Sequence, residues 1–188
     1  MRTPAKPATP ERLEAAALFY LERFSTSSAN LRAVLLRRIR RSARDHGTDP
    51  AEGVLWIDAL IQRYLATGLL DDRAYAATKA ASLHRRGASA RAIAAKLAGK
   101  GVPRDLVAAS LGESDDDSGY AARPGGDLAA AAALVRRKRL GPYRPTELRA
   151  EHRQKDLGTL ARAGFSRAIA EEVLGCADAD AVAALFRD

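Results

Sequence analysis

Apolar residues recur along this chain at intervals of three and four and almost never alternate strictly, so the pattern predicts helices. In the first stretch Leu13, Ala16, Ala17, Tyr20, Leu21 and Phe24 form one stripe. Thr9 stands where an N-cap belongs, with Pro10 at the first helical position and Glu11 in the first turn. The Ser-Thr-Ser-Ser run from Ser25 ends that helix. A second helix, capped by Ser27 or Ser28, reaches about Asp45. It gathers Leu31, Val34, Leu35 and Ile39 on one side and Arg37, Arg40, Arg41 and Arg44 on the other. A third follows Asp49-Pro50 and turns Val54, Ile57, Leu60, Ile61, Tyr64 and Leu65 inward, with Trp56 at the edge of the stripe. Gly68 stops it.

The pattern restarts at Asp71, which caps a helix running to Arg86, and Gly87 breaks it. Ser89 caps the next, with Ile93 and Leu97 facing in, and the Gly99-Lys100-Gly101 turn closes it. Pro103 opens a short helix with Leu106, Val107 and Leu111. Residues 113–126 (ESDDDSGYAARPGG) have no apolar period and read as an acidic, flexible linker. A third set then spans about Asp127 to Arg139, Thr146 to Ala163, and a segment after Ser166. Asp178 caps a last turn or two with Val182, Leu185 and Phe186. The expected map is a disordered lead over 1–8, three-helix repeats over 9–68 and 69–112, the linker, and a third repeat with a C-terminal tail over 127–188.

Two segments of this map superimpose. At an offset of 63, KLAGKGVPRDLVAASLG from Lys96 aligns with TLARAGFSRAIAEEVLG from Thr159. Leu97 meets Leu160, Gly101 meets Gly164, Val102 meets Phe165, and Leu111 meets Leu174. Each reads as a helix end, a glycine in a left-handed C-cap, an apolar residue, then a short capped helix. A weaker echo at an offset of 62 pairs Ser27, Leu31 and Leu35 with Ser89, Ile93 and Leu97. The expected fold is all-α, three tandem three-helix repeats in an elongated, curved arrangement. Units this small have thin cores and lean on their neighbours.

Charge changes the picture from fold to partner. Lys and Arg total 31 against 23 Asp and Glu, a formal net charge of +8. Such an excess concentrates polyanions near the surface. Cys176 is the single cysteine, which excludes an internal disulfide. The N-terminus lacks an apolar core of the signal-peptide kind, and no stretch approaches the ~20 apolar residues of a membrane span. A soluble, cytoplasmic monomer without membrane contact is expected.

Catalysis needs convergent groups, and the sequence offers none. His46, His84 and His152 are scattered, with no His-x-x-x-His or Cys-x-x-Cys spacing for a metal and no phosphate loop. Neither enzyme activity nor a cofactor is expected. Asp71 and Asp72 suggest a carboxylate pair, but adjacent helical residues do not face each other, and Asp71 is better read as a cap.

The candidate partner- or nucleic-acid-binding residues therefore are basic. They fall into four groups: Arg37, Arg40, Arg41 and Arg44; Arg85, Arg86 and Arg91 with Lys96, Lys100 and Arg104; Arg136, Arg137, Lys138 and Arg139; and Arg162 and Arg167, with Arg149 and Arg153 nearby. Cations late in a helix are favoured by its dipole at roughly 0.3–1 kcal/mol each, which explains part of the Arg136–Arg139 run. The expectation is that the groups line one concave side.

Three segments, GLLDDRAYA from Gly68, RRGASARAIAAKLAGKGV from Arg85 and LARAGFSRAIAEEVL from Leu160, occur in the order of the RecX family of RecA-recombinase regulators, which the chain resembles over roughly Leu13 to Leu174. It differs in a longer Arg-rich segment in the first repeat and a long acidic linker. The resemblance implies a module lying along the groove of a RecA–DNA filament. It further implies negative regulation of strand exchange, ATP hydrolysis and coprotease activity in DNA repair, recombination and the SOS response. The other reading is a direct DNA-binding module, since basic three-helix units also build helix-turn-helix readers. No helix, however, shows the Asn, Gln and Arg mixture suited to base edges.

Overall fold

The structure, a computed structural model, describes residues 6–112 and 126–185. The described residues form ten α-helices and one 3-10 turn, with no strand. The helices are α1 (Pro10–Leu21), α2 (Ser28–His46), α3 (Pro50–Ala66), α4 (Asp72–Arg85), α5 (Ala90–Ala98), α6 (Arg104–Leu111), α7 (Gly126–Lys138), α8 (Thr146–Arg162), α9 (Arg167–Gly175) and α10 (Ala179–Ala184). The 3-10 turn, Gly141–Tyr143, lies between α7 and α8. The chain is thus all-α, with a tandem repetition of three-helix sets. Residues 1–5 of the expected lead, the linker up to residue 125, and Phe186 lie outside the described residues.

The chain divides into two compact units. One holds the described residues up to Ala76 together with Lys100–Val102; the other holds Ala77–Gly99 and the described residues from Pro103 onward. In the first unit, Leu13, Leu31, Leu35, Ile39, Ile57, Leu60, Ile61 and Tyr64 make one core, with Trp56 packed against it. Gly53 lets α3 approach α2 closely, because a Cβ there would stand 2.6 Å from Ile39 Cδ1. Bidentate bonding from Arg32 to Asp58, at 2.6 and 3.1 Å, ties the same two helices together. In the second unit, Ala130, Ala131, Leu134, Val135, Leu160, Phe165, Val173 and Leu174 form the core.

Phe24 departs from its expected place on the first stripe. α1 ends at Leu21, and the Phe24 N–H closes a turn back to the Tyr20 carbonyl. The ring is 54% exposed and leans on Tyr20 at 4.9 Å. Lys6–Ala8 are docked against the first unit: the Ala8 N–H donates to Ser42 Oγ at 2.7 Å.

The internal repeat is realised in the backbone. Gly101 and Gly164 both take positive φ, 70° and 93°. Leu97 and Leu160 are fully buried, and the paired Val102 and Phe165 are each 5% exposed. Ser27 and Ser89, paired by the weaker echo, both cap helices and are both fully buried.

Those serines show how one repeat is joined to the next. In the first unit Ser27 Oγ donates to the Lys100 carbonyl, one residue before the left-handed Gly101. Asp72, opening α4, accepts the Ser28 N–H at 2.7 Å and the Ser28 hydroxyl. In the second unit Ser89 Oγ donates to the Ala163 carbonyl at 2.7 Å, one residue before Gly164. There Asp127, opening α7, accepts the Ala90 N–H at 2.7 Å. The same joint is built twice: a serine cap meets a glycine turn, and a carboxylate binds the N–H that follows the serine. This is why the first compact unit takes in Asp72 and Lys100–Val102 across the repeat boundary. The corresponding cap of α8 is Pro145, which makes no side-chain bond.

Candidate functional site

The basic candidates sort by what their side chains already touch. All sixteen are exposed. Some are engaged locally. Arg44 pairs with Asp45 at 2.8 Å, and Arg167 pairs with Glu171 one turn on at 2.7 Å. These pairs are solvent-exposed, so each contributes little to stability and leaves its guanidinium reachable. Lys100 Nζ donates to Asn30 Oδ1 at 3.2 Å, and Arg162 to Thr159 Oγ1 at 3.4 Å. Arg149 is committed to structure: it donates to the carbonyls of Pro142 and Arg144, at 2.9 and 3.0 Å, and to that of Ala177.

Arg85 and Arg86 of the second group meet the Arg136–Arg139 group within the second unit. Gly87 lets the end of α4 approach α7 so closely that a Cβ would stand 2.7 Å from the Leu134 nitrogen and 2.8 Å from the Ala130 carbonyl oxygen. Arg137 Nη1 then donates to the Arg86 carbonyl at 2.6 Å. The joined ends carry Arg85, Arg86, Arg136, Arg137, Lys138 and Arg139. None of the six is ion-paired among the described residues. Two helix C-termini supply only about −1 of compensating charge, so a surplus of roughly +5 remains.

Arg139 adds a local strain. It ends α7 at φ 53°, the only non-glycine residue with positive φ among those described. Its neighbour Leu140 donates back to the Val135 carbonyl at 2.9 Å, closing the helix as a Schellman turn would. A side chain here costs about 1–2 kcal/mol that glycine would avoid.

Arg37, Arg40, Arg41 and Arg44 lie along α2 in the first unit, as expected. Arg41, however, faces the same groove as Arg38 and Arg12, neither of which was a sequence candidate. Arg38 stands three residues before Arg41, but on the helical wheel it falls inside the apolar stripe, between Val34 and Leu31, and Arg12 lies on another helix. Asp72 was likewise passed over beside Asp71. Asp71 does cap, accepting the Ala74 N–H at 2.8 Å, while Asp72 reaches Ser28.

One buried charge belongs to the scaffold. Asp156 is 1% exposed and accepts Arg144 Nε, Arg144 Nη2 and the Gly141 N–H, each at 2.9 Å. Burial pushes its carboxyl up, but the Arg144 guanidinium and the Gly141 N–H outweigh that and hold it below the ordinary carboxylate range. It clamps the 3-10 turn to α8. Cys176 is half-buried, and burial raises its thiol, which does not favour a nucleophile. Among the described residues no cluster of three or more His, Cys, Asp or Glu side chains could hold a metal ion. No described helix is long and apolar enough to cross a membrane.

Comparison with known proteins places the chain in a family. Residues 71–111 match the model of the second three-helix domain of RecX. The chain is 43% identical to the regulatory protein RecX of Myxococcus xanthus, over 92% of this chain and 90% of that protein. It is 32% identical to the regulatory protein RecX of Agrobacterium fabrum, over 84% and 79%. With that of Thermobifida fusca it shares 35% identity, over 89% and 81%. No solved structure matches the chain.

Proposed function

Because the chain belongs to the RecX family, we propose that it is a non-catalytic, cytoplasmic regulator that binds the RecA–DNA filament and lowers the recombinase's strand exchange, ATP hydrolysis and coprotease activity. The observation that carries the binding part is the joined end of α4 and α7, where six cations stand without carboxylate partners among the described residues. Arginine forks match phosphate oxygens, and the cluster offers no large exposed apolar side chain of the kind that anchors a protein interface. It is assigned to the DNA phosphates of the filament. Arg37, Arg40, Arg44, Arg91, Lys96, Lys100, Arg104, Arg162 and Arg167 supply further positive potential that steers the encounter.

The same cluster supports a second reading, direct binding to DNA without the recombinase. The test is RecA's ATP hydrolysis on single-stranded DNA, with this protein titrated in and with an Arg136→Glu, Arg139→Glu variant alongside. The proposal expects hydrolysis to fall with the natural chain and to recover with the variant. Unchanged hydrolysis at saturating protein, together with tight binding to bare DNA, would instead favour the second reading.

A further inference from the structure

A groove of about 540 Å³ runs between α1 and α2 in the first unit and is closed at one end by Lys6–Ala8. Its size lies within the roughly 300–1,000 Å³ of built ligand clefts. The closing segment is held at one peptide unit, the one joining Pro7 to Ala8. Arg12 Nη1 donates to the Pro7 carbonyl at 2.8 Å, and the Ala8 N–H donates to Ser42 Oγ, which also bonds Thr48 Oγ1 at 2.6 Å.

The chemistry of the groove is two-sided. Leu13, Ala16 and Phe19 give it an apolar floor, and Phe19 is 51% exposed. Lys6, Arg12, Arg38 and Arg41 stand around the rim, and no carboxylate lines the groove. None of the four is ion-paired among the described residues. Four cations over an apolar floor suit a ligand that is anionic along its length and apolar at one point.

We propose that this groove binds an acidic peptide segment of a protein partner, with one large apolar side chain seated between α1 and α2 and its carboxylates on the four rim cations. Nucleic acid is the poorer fit. Single strands need open aromatic faces for their bases, and the one aromatic ring in the groove already has the Arg23 guanidinium stacked on it at 3.8 Å. An apolar floor ringed by charge is the arrangement of a protein interface, in which a buried anchor gives affinity and the rim gives rate and selectivity. This inference does not depend on the filament reading, because its test contains neither recombinase nor filament.

The test is fluorescence anisotropy with the full chain and a labelled dodecapeptide of Asp and Glu residues carrying one central Phe. The expected result is saturable binding that weakens about tenfold or more when the Phe is replaced by Ser. The same loss is expected with Arg38→Glu, and with Ala15→Trp, which crowds the groove from an exposed position. Circular dichroism melts of both variants establish that they are folded. Equal binding of the Ser peptide would overturn the proposal, since charge alone would then suffice. So would binding of labelled oligothymidylate by the natural chain that Arg38→Glu abolishes, since nucleic acid would then be the occupant of the groove. Absence of binding up to about 1 mM peptide would also overturn it.

Discussion

Gly101 and Gly47 have nearly the same backbone, at φ 70° and 72°, and quite different surroundings. A Cβ on Gly47 meets nothing within 4 Å, whereas one on Gly101 would stand 2.5 Å from the Ala29 Cβ. Replacing either with Ala forces an L side chain into the left-handed region, at about 1–2 kcal/mol. Only Gly101→Ala also collides. The atom it meets is a methyl on the first turn of α2 with no rotamer to yield, so the Gly101 turn must move away. Overpacking of that kind costs about 1–3 kcal/mol. The move also stretches the bond from Ser27 Oγ to the Lys100 carbonyl. Gly47→Ala should therefore lose about 1–2 kcal/mol and Gly101→Ala about 2–5. Both positions lie in one compact unit, so urea unfolding followed by circular dichroism compares like with like. Equal shifts in midpoint would refute the reasoning, because they would mean that the approach of the glycine turn to α2 is not a tight contact.

Other consequences follow from the same geometry. Arg139→Gly should stabilise the protein by about 1 kcal/mol, by relieving the left-handed strain, yet weaken binding to single-stranded DNA. A thermal melt and a salt titration measure the two effects, and a gain in both would return Arg139 to a purely structural role. Asp156→Ala should cost about 3–5 kcal/mol in chemical unfolding, because it strands a buried Arg144 and the Gly141 N–H. The Asp156 carboxyl is depressed in the folded state, so its contribution is full above the unfolded carboxylate value of about 3.9 and disappears as pH falls through the folded value. Stability measured from neutral to acid pH should fall in that window, and less so in Asp156→Ala. Asp72→Ala should lose about 1–3 kcal/mol through the two Ser28 bonds, against about 1 kcal/mol for the cap lost in Asp71→Ala.

Much of this fold was legible in the sequence because helices announce themselves locally. Caps at Thr9, Ser27, Asp49, Ser89 and Ser166 all bond the backbone of the turn that follows. The glycine-turn repeat could be read because a left-handed residue and two flanking core positions constrain identity as well as polarity. What could not be read was tertiary. Ser27 looks like an ordinary cap until its hydroxyl is seen to reach the turn at Lys100, far along the chain. Phe24 kept the apolar period of α1 yet fell beyond its end, since periodicity does not reveal where a chain turns. The six-cation cluster was visible only as two separate runs, because Gly87 reads as a helix stop and not as the point where α4 meets α7. Arg38 and Arg12 were invisible as a pair for the same reason: each sits unremarkably on its own helix.

Co-sedimentation with RecA filaments assembled on single-stranded DNA probes the proposed activity most directly. The protein should pellet with the filament, stay largely in solution with RecA alone, and lose filament affinity as salt rises. With four to six phosphates engaged, the slope of log K against log salt should be about −3 to −4. Pelleting that is indifferent to RecA, or absent altogether, would contradict the assignment of this chain to the filament.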